Sequence, residues 1–247
     1  MEQNDMMSLF QDSEVEKTSI SHKEALSERD KWEKRKARLG VMRADLTCNL
    51  DLDEQGFPTI KPYFGTPDAT LIDFKTAMSA DRHNCWVHFF MFDECFEQIW
   101  NPSYTDRDLD TLTRFRGILT PDFTLDPRLS PIQQQFNVFR NRAIGQLMQS
   151  RNKPVIATVG WSFRSSFDYC FAGLSEGGTV AISTNGVLKN IVSLRMFKEG
   201  VFEMERKLRP DNIVIVGQEI PIKTKAQQIW YPNTNTTRLN MLKKRGR

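Results

Sequence analysis

From residue 70 onward the chain repeats one unit: a short apolar run, a polar residue at its end, then a stretch of helix formers. Leu71-Ile72 leads to Asp73 and a short helical piece from Phe74 to Ala80. Cys85 to Phe92 reads as a strand ending at Asp93, with Glu94 to Trp100 helical after it. Gly117 to Thr120 leads through Pro121 to Asp122, and Pro154 to Gly160 is the next strand, followed by a helical Ser165 to Leu174. Thr179 to Ile182 ends at Ser183-Thr184-Asn185-Gly186. Helical sequence then runs to Leu208, with a break expected at Gly200, before a last strand from Asn212 to Val216. Uninterrupted apolar runs alternating with helices imply parallel strands covered on both faces. Six such runs predict an α/β fold of strand–helix units, a closed or partly closed, TIM-barrel-like β/α barrel. The competing answer is an open doubly wound sheet. Neither G-x-G-x-x-G nor G-x-x-x-x-G-K-[ST] occurs, which weakens the nucleotide-binding versions of the open sheet.

The clearest helix begins after Ser130, with Pro131 at its first position and Gln133 placed to complete a capping box. Ile132, Phe136, Phe139, Ala143 and Leu147 recur at spacings of three and four and predict its apolar face. Arg140 and Arg142 then fall on the polar side, where they could reach a phosphate or remain solvated.

Outside the repeating region the composition shifts. Residues 1–18 are polar and acidic and read as a flexible arm. Residues 19–40 are expected as a charged N-terminal helix, with Ser21 and Glu24 at capping-box spacing and Gly40 as its stop. Residues 41–220 are expected as one α/β domain and 221–247 as a basic tail. From residue 220 onward there are seven Lys or Arg and no acid, whereas residues 41–219 carry a net charge of −3. Basicity is therefore a property of the tail, where Lys243, Lys244 and Arg245 are candidate contacts to nucleic-acid phosphates. Four scattered cysteines without paired spacing are read as reduced thiols. No signal segment and no run of roughly 20 apolar residues is present, so a cytoplasmic protein is expected.

In both architectures function belongs at the edge where strands end and helices begin. Asp73, Asp93, Glu94, Asp122, Trp161, Ser162, Ser183, Thr184, Asn185 and Gln218 land there. Of these, Asp73, Asp93, Asp122, Trp161 and Asn185 are the candidate rim site. Asp93 and Asp122 could ligate a hard cation such as Mg²⁺. Alternatively each Asp caps the helix after it. His83, Cys85, His88 and Cys95 do not converge at a zinc spacing, because the strand period splits them between two faces. Gly160-Trp161-Ser162-Phe163 is not a nucleophile elbow.

The run Phe92-Asp93-Glu94-Cys95-Phe96-Glu97-Gln98-Ile99-Trp100, followed by Thr120-Pro121-Asp122-Phe123, resembles a family of hypothetical proteins carried by phages, plasmids and integrative elements. That family is named only as a domain of unknown function. Asn141-Arg142, the strand Pro154 to Trp161 and the stretch Gly178 to Gly186 carry the likeness further, over residues 60–220. The resemblance implies a mobile-element origin and a bacterial cytoplasm, and supplies no catalytic residue. The leading expectation is an accessory protein that binds nucleic acid or a nucleotide-like ligand at the strand rim. The rivals are a metal-dependent enzyme on a phosphorylated substrate and an interaction factor aimed at a host protein.

Overall fold

The computed structural model describes residues 43–232. The chain divides into two units, Met1–Asp45 and Leu46–Arg247, and every described strand belongs to the second. The arm, the charged helix at 19–40 and the tail lysines and arginine at 243–245 lie outside the described residues.

Seven strands form one parallel sheet: β1 (Leu71–Asp73), β2 (Trp86–His88), β3 (Gly117–Leu119), β4 (Val155–Thr158), β5 (Thr179–Ser183), β6 (Asn212–Val216) and β7 (Gln227–Tyr231). Their spatial order is their sequence order. A doubly wound sheet needs a reversal of strand order at its switch point, and none occurs here. The sheet instead curls in one direction into a half-barrel, with β1 and β7 as its two edges. Parallel neighbours require a crossover, and helices supply most of them. They are α1 (Phe74–Ala77), α2 (Thr105–Leu112), α3 (Pro131–Ser150) and α4 (Ile191–Leu208).

The strand period of two divides the apolar side chains between the faces. Val87, Ile118 and Val155 pack outward with Ile144 and Met148 of α3. Val180, Ile182, Ile213 and Ile215 pack outward with Phe197, Val201 and Met204 of α4. Trp86, Leu119, Ile156, Ala181, Val214 and Val216 point inward and close on Phe90, Tyr63 and Tyr231. The concave side is therefore a packed core and not a channel.

Several local expectations are corrected. α4 runs unbroken through Gly200, because tertiary packing outweighs the cost of a helical glycine of roughly 1 kcal/mol. A Cβ there would lie 2.0 Å from the indole of Trp161, so the glycine makes room for that ring. The apolar face read for α3 is also displaced: Ile132 and Phe136 are exposed, while Gln134, Asn137, Asn141 and Arg142 are buried. Its capping box is present as expected. The helical pieces after β2 and β4 are 3₁₀ turns, at Asp93–Cys95, Glu97–Trp100 and Arg164–Asp168. α2 had no counterpart in the sequence reading, and Gln227–Tyr231, assigned there to the basic tail, is a strand of the sheet.

Candidate site at the carboxyl ends of the strands

The strand ends bring Asp93 and Asp122 together. Asp93 opens the 3₁₀ turn after β2. Its carboxylate accepts from the Thr124 backbone N–H at 3.0 Å and from the Thr124 hydroxyl at 2.7 Å. It thus fastens the loop after β3, which carries Asp122. The Thr124 carbonyl in turn accepts from Asn137 Nδ2 at 2.6 Å. Asn137 Oδ1 accepts from Arg140 at 2.6 Å, and Arg140 also pairs with Glu97. The Arg140 guanidinium lies 3.9 Å above the ring of Phe123, which itself packs on Phe96 with centroids 5.3 Å apart. The two sequence motifs therefore fold onto one another through α3. Acidic, aromatic and guanidinium groups hold the two strand-end loops in a fixed relation.

Asp122 differs from its neighbours. It is half-buried and makes no hydrogen bond or ion pair among the described residues. One carboxyl oxygen sits 3.5 Å from where a Gly160 side chain would begin, so the absence of a Cβ at the end of β4 leaves space beside it. Burial, and secondarily the charge of Asp93, push its pKa up from 3.8 to about 7. A carboxyl raised in this way, with no partner among the described residues, is open to a ligand in either protonation state. It can accept a hydrogen bond as the anion or donate one as the acid. Beside Asp93, Phe92 presents a ring that is 77% exposed.

The remaining candidates have structural duties. Asp73 caps α1, accepting from Thr76 N and from the Thr76 hydroxyl, both at 2.9 Å. Trp161 donates its indole N–H to the Met196 carbonyl and fills the notch at Gly200. Asn185 donates to the Phe90 carbonyl at 3.3 Å, tying the loop after β5 to the end of β2. Ser183 and Thr184 donate to the carbonyls of Val216 and Gln218. Glu94 and Gln218 are exposed, and the buried Ser162 hydroxyl has no hydrogen-bond partner among the described residues.

The arginines of α3 are corrected outright, since neither stands on a solvated face. Arg142 is 1% exposed and donates to the carbonyls of Thr158, Cys170 and Ala172 and to Asn141 Oδ1. Burial lowers its pKa to about 10. Asn141 donates to the Pro121 and Thr158 carbonyls and accepts from the Thr120 hydroxyl. The irregular backbone at the ends of β3 and β4 is thus satisfied by a polar helix face. His83 packs edge-on against Phe115, and His88 accepts the Phe90 N–H on Nδ1 with its pKa lowered to about 4 by burial. Among the described residues no three His, Cys, Asp or Glu side chains gather as a metal-binding group. Sequence reasoning missed Glu97, Thr124 and Asn137. The one available signal was that Asn137 and Asn141, four apart on a helix, flank Arg140.

The family described as a domain of unknown function, DUF4417, matches residues 53–231. The chain belongs to that family. The match takes in all seven strands and both motifs of the rim. Two curated relatives are phage gene products. The Gene 1 protein of Mycobacterium phage L5 is 36% identical over 132 residues, 53% of this chain and 57% of that protein. The Gene 1 protein of Mycobacterium phage D29 is 34% identical over 132 residues, 53% of this chain and 48% of that protein. The chain thus spans about half the length of these relatives. No solved structure matches it. No helix among the described residues is long and apolar enough to cross a membrane.

Proposed function

We propose that this DUF4417 protein is a mobile-element accessory factor of the bacterial cytoplasm that binds a nucleotide-like ligand at the carboxyl ends of β2, β3 and β4. The observation that carries the reading is geometric: the half-buried Asp122 carboxyl beside Gly160 has no hydrogen bond or ion pair among the described residues, and its burial raises its pKa. A half-buried carboxyl without a protein partner among the described residues is partly desolvated, and a ligand that hydrogen-bonds to it offsets that desolvation. The flanking charge is acidic, Arg142 is committed to backbone carbonyls and Arg140 is ion-paired with Glu97, which favours the base over the phosphates as the group read here. Exposed Phe92, the residue before Asp93, offers a stacking surface at the same edge. Lys243, Lys244 and Arg245 would then supply phosphate contacts when the ligand is part of a nucleic acid.

The test is calorimetric titration of the full chain with the common nucleosides, nucleotides and short single-stranded oligonucleotides, with EDTA and then with Mg²⁺. Wild type should bind at least one nucleoside, and Asp122→Asn should weaken that binding tenfold or more. Removing residues 243–247 should weaken only the oligonucleotides and flatten their salt dependence. Absence of binding to every probe would overturn the reading. The mutual repulsion of Asp93 and Asp122 favours one alternative, a divalent cation held between them for chemistry on a phosphorylated substrate. Binding that appears only with Mg²⁺ and fails in both Asp93→Asn and Asp122→Asn would select it.

A further inference from the structure

A second feature lies on the flank of the sheet, between the loop after β4 and the outer side of α4. Ser162 to Phe167 form one wall and Ile191 to Glu199 the other, around a cavity of about 560 Å³. It continues along α4 past Phe167 to Phe202 and Arg206. The floor is unusually apolar for a surface. Ile191 is 76% exposed and Phe202 70%, with Phe163 and Val192 also largely open. Contiguous exposed apolar surface rimmed by polar groups marks an interaction site more often than chance. Ile191 and Phe202 are eleven residues apart on one helix, with Arg195, Lys198 and Glu199 lining the groove between them, so the groove is about 16 Å long at 1.5 Å per residue. That length accepts three turns of an incoming helix.

The charge along the strip has a sign at its surface. Glu199 is gripped by Arg164 and Arg195, with both contacts at 3.0 Å, and Glu203 is gripped by Arg206 at 2.7 and 2.8 Å. The carboxylates lie below: Glu199 is 27% exposed, against 74% for Arg164 and 77% for Arg195. A partner approaching this face meets guanidinium edges with donors to spare, over an apolar floor. At one end the Ser162 hydroxyl is buried without a hydrogen-bond partner among the described residues.

We propose that this groove docks an acidic amphipathic helix of a partner protein. The partner's apolar residues, spaced three and four apart, would seat on Ile191, Phe163 and Phe202, and its carboxylates would pair with Arg164, Arg195 and Arg206. A nucleic-acid backbone would leave the apolar floor uncovered. The proposal is independent of the ligand reading at Asp122.

The experiment is a selection from a displayed library of random 16-residue peptides on the full chain, with recovered sequences measured by fluorescence anisotropy. Peptides with an apolar stripe at helical spacing and a net negative charge are expected. Their affinity should fall at least tenfold with Ile191→Glu, and separately with the double charge reversal Arg164→Glu and Arg195→Glu. These positions are exposed, and circular dichroism would verify that each variant folds. A third variant, Phe202→Ser, tests the far end without adding charge. Recovery of basic peptides, or of peptides indifferent to all three changes, would overturn the proposal. So would a concentration-dependent dimer of the full chain that Ile191→Glu abolishes, because the groove's occupant would then be a second copy. Sedimentation with vesicles of one-third anionic lipid, lost in the same variant, would equally replace the protein partner with a membrane.

Discussion

Replacing Asp122 by Asn removes the charge and keeps the shape, and its effect on stability should depend on pH in a direction that follows from the geometry. The folded protein holds this carboxyl at a pKa of about 7, against 3.8 for the ordinary group. A group whose folded pKa is raised binds its proton more tightly in the native state. Its contribution is fully present below the unfolded pKa and is lost as pH rises through the folded one. Wild type should therefore lose stability between about pH 4 and pH 7, and the Asn variant should not lose this share. A shift of that size corresponds to about 4 kcal/mol at 1.36 kcal/mol per unit. Because Asp122 keeps some contact with solvent, roughly 1–3 kcal/mol is the realistic gain for the variant at pH 8. For a chain of this length that is about 2–10 °C in melting temperature. At pH 3 the carboxyl is protonated in both the folded and the unfolded chain and is nearly isosteric with Asn, so the two melting temperatures should agree. Urea unfolding of wild type and variant at pH 3, 5, 6, 7 and 8 measures the difference directly. A constant difference across that range, or a wild type more stable than the variant at pH 8, would refute the account of Asp122.

Two further substitutions test the packing that holds the site. Arg142→Lys keeps the charge but cannot reach the carbonyls of Thr158, Cys170 and Ala172 together, and should cost about 3 kcal/mol or more by chemical denaturation; a loss under 1 kcal/mol would mean the carbonyls find other donors. Gly200→Ala raises intrinsic helix propensity yet drives a methyl into the Trp161 indole, so it should destabilise by about 1–3 kcal/mol and shift the tryptophan emission, whereas a stabilised protein would show that the ring moves freely.

What the sequence made legible was governed by the backbone. Runs such as Asn212–Val216 and Thr179–Ser183 are β-branched and bounded by turn residues, so their strand character and their parallel pairing follow from pattern alone. The Ser130 capping box fixed the start of α3. Pattern failed where polar side chains are buried. Counting apolar residues on α3 pointed to Ile132 and Phe136, which are exposed, and away from Asn137, Asn141 and Arg142, which face inward. No periodicity of hydrophobic residues reports a helix face whose task is hydrogen bonding. The same limit hid the partner of Asp93: its spacing before a short helical segment suggested a cap, but its carboxylate reaches across to Thr124, 31 residues away.

Both the misread helix face and the candidate site have one physical origin. Strands of a parallel sheet end together, and here β2, β3 and β4 end in loops without regular structure, which leaves carbonyls at Pro121, Thr124 and Thr158 that no strand neighbour can satisfy. α3 supplies the donors from Asn137, Asn141 and Arg142. Committed to backbone in this way, Asn137, Asn141 and Arg142 donate to no carboxyl of the edge. Asp93 solves this by taking Thr124, and Glu97 by taking Arg140. Asp122 sits between them, beside the missing side chain of Gly160, with its acceptor capacity unused. A purely structural edge would gain stability from Asn or Ser at that position. Retaining an acid there is costly above neutral pH, and a ligand that engages the acid is the simplest way for that cost to be offset.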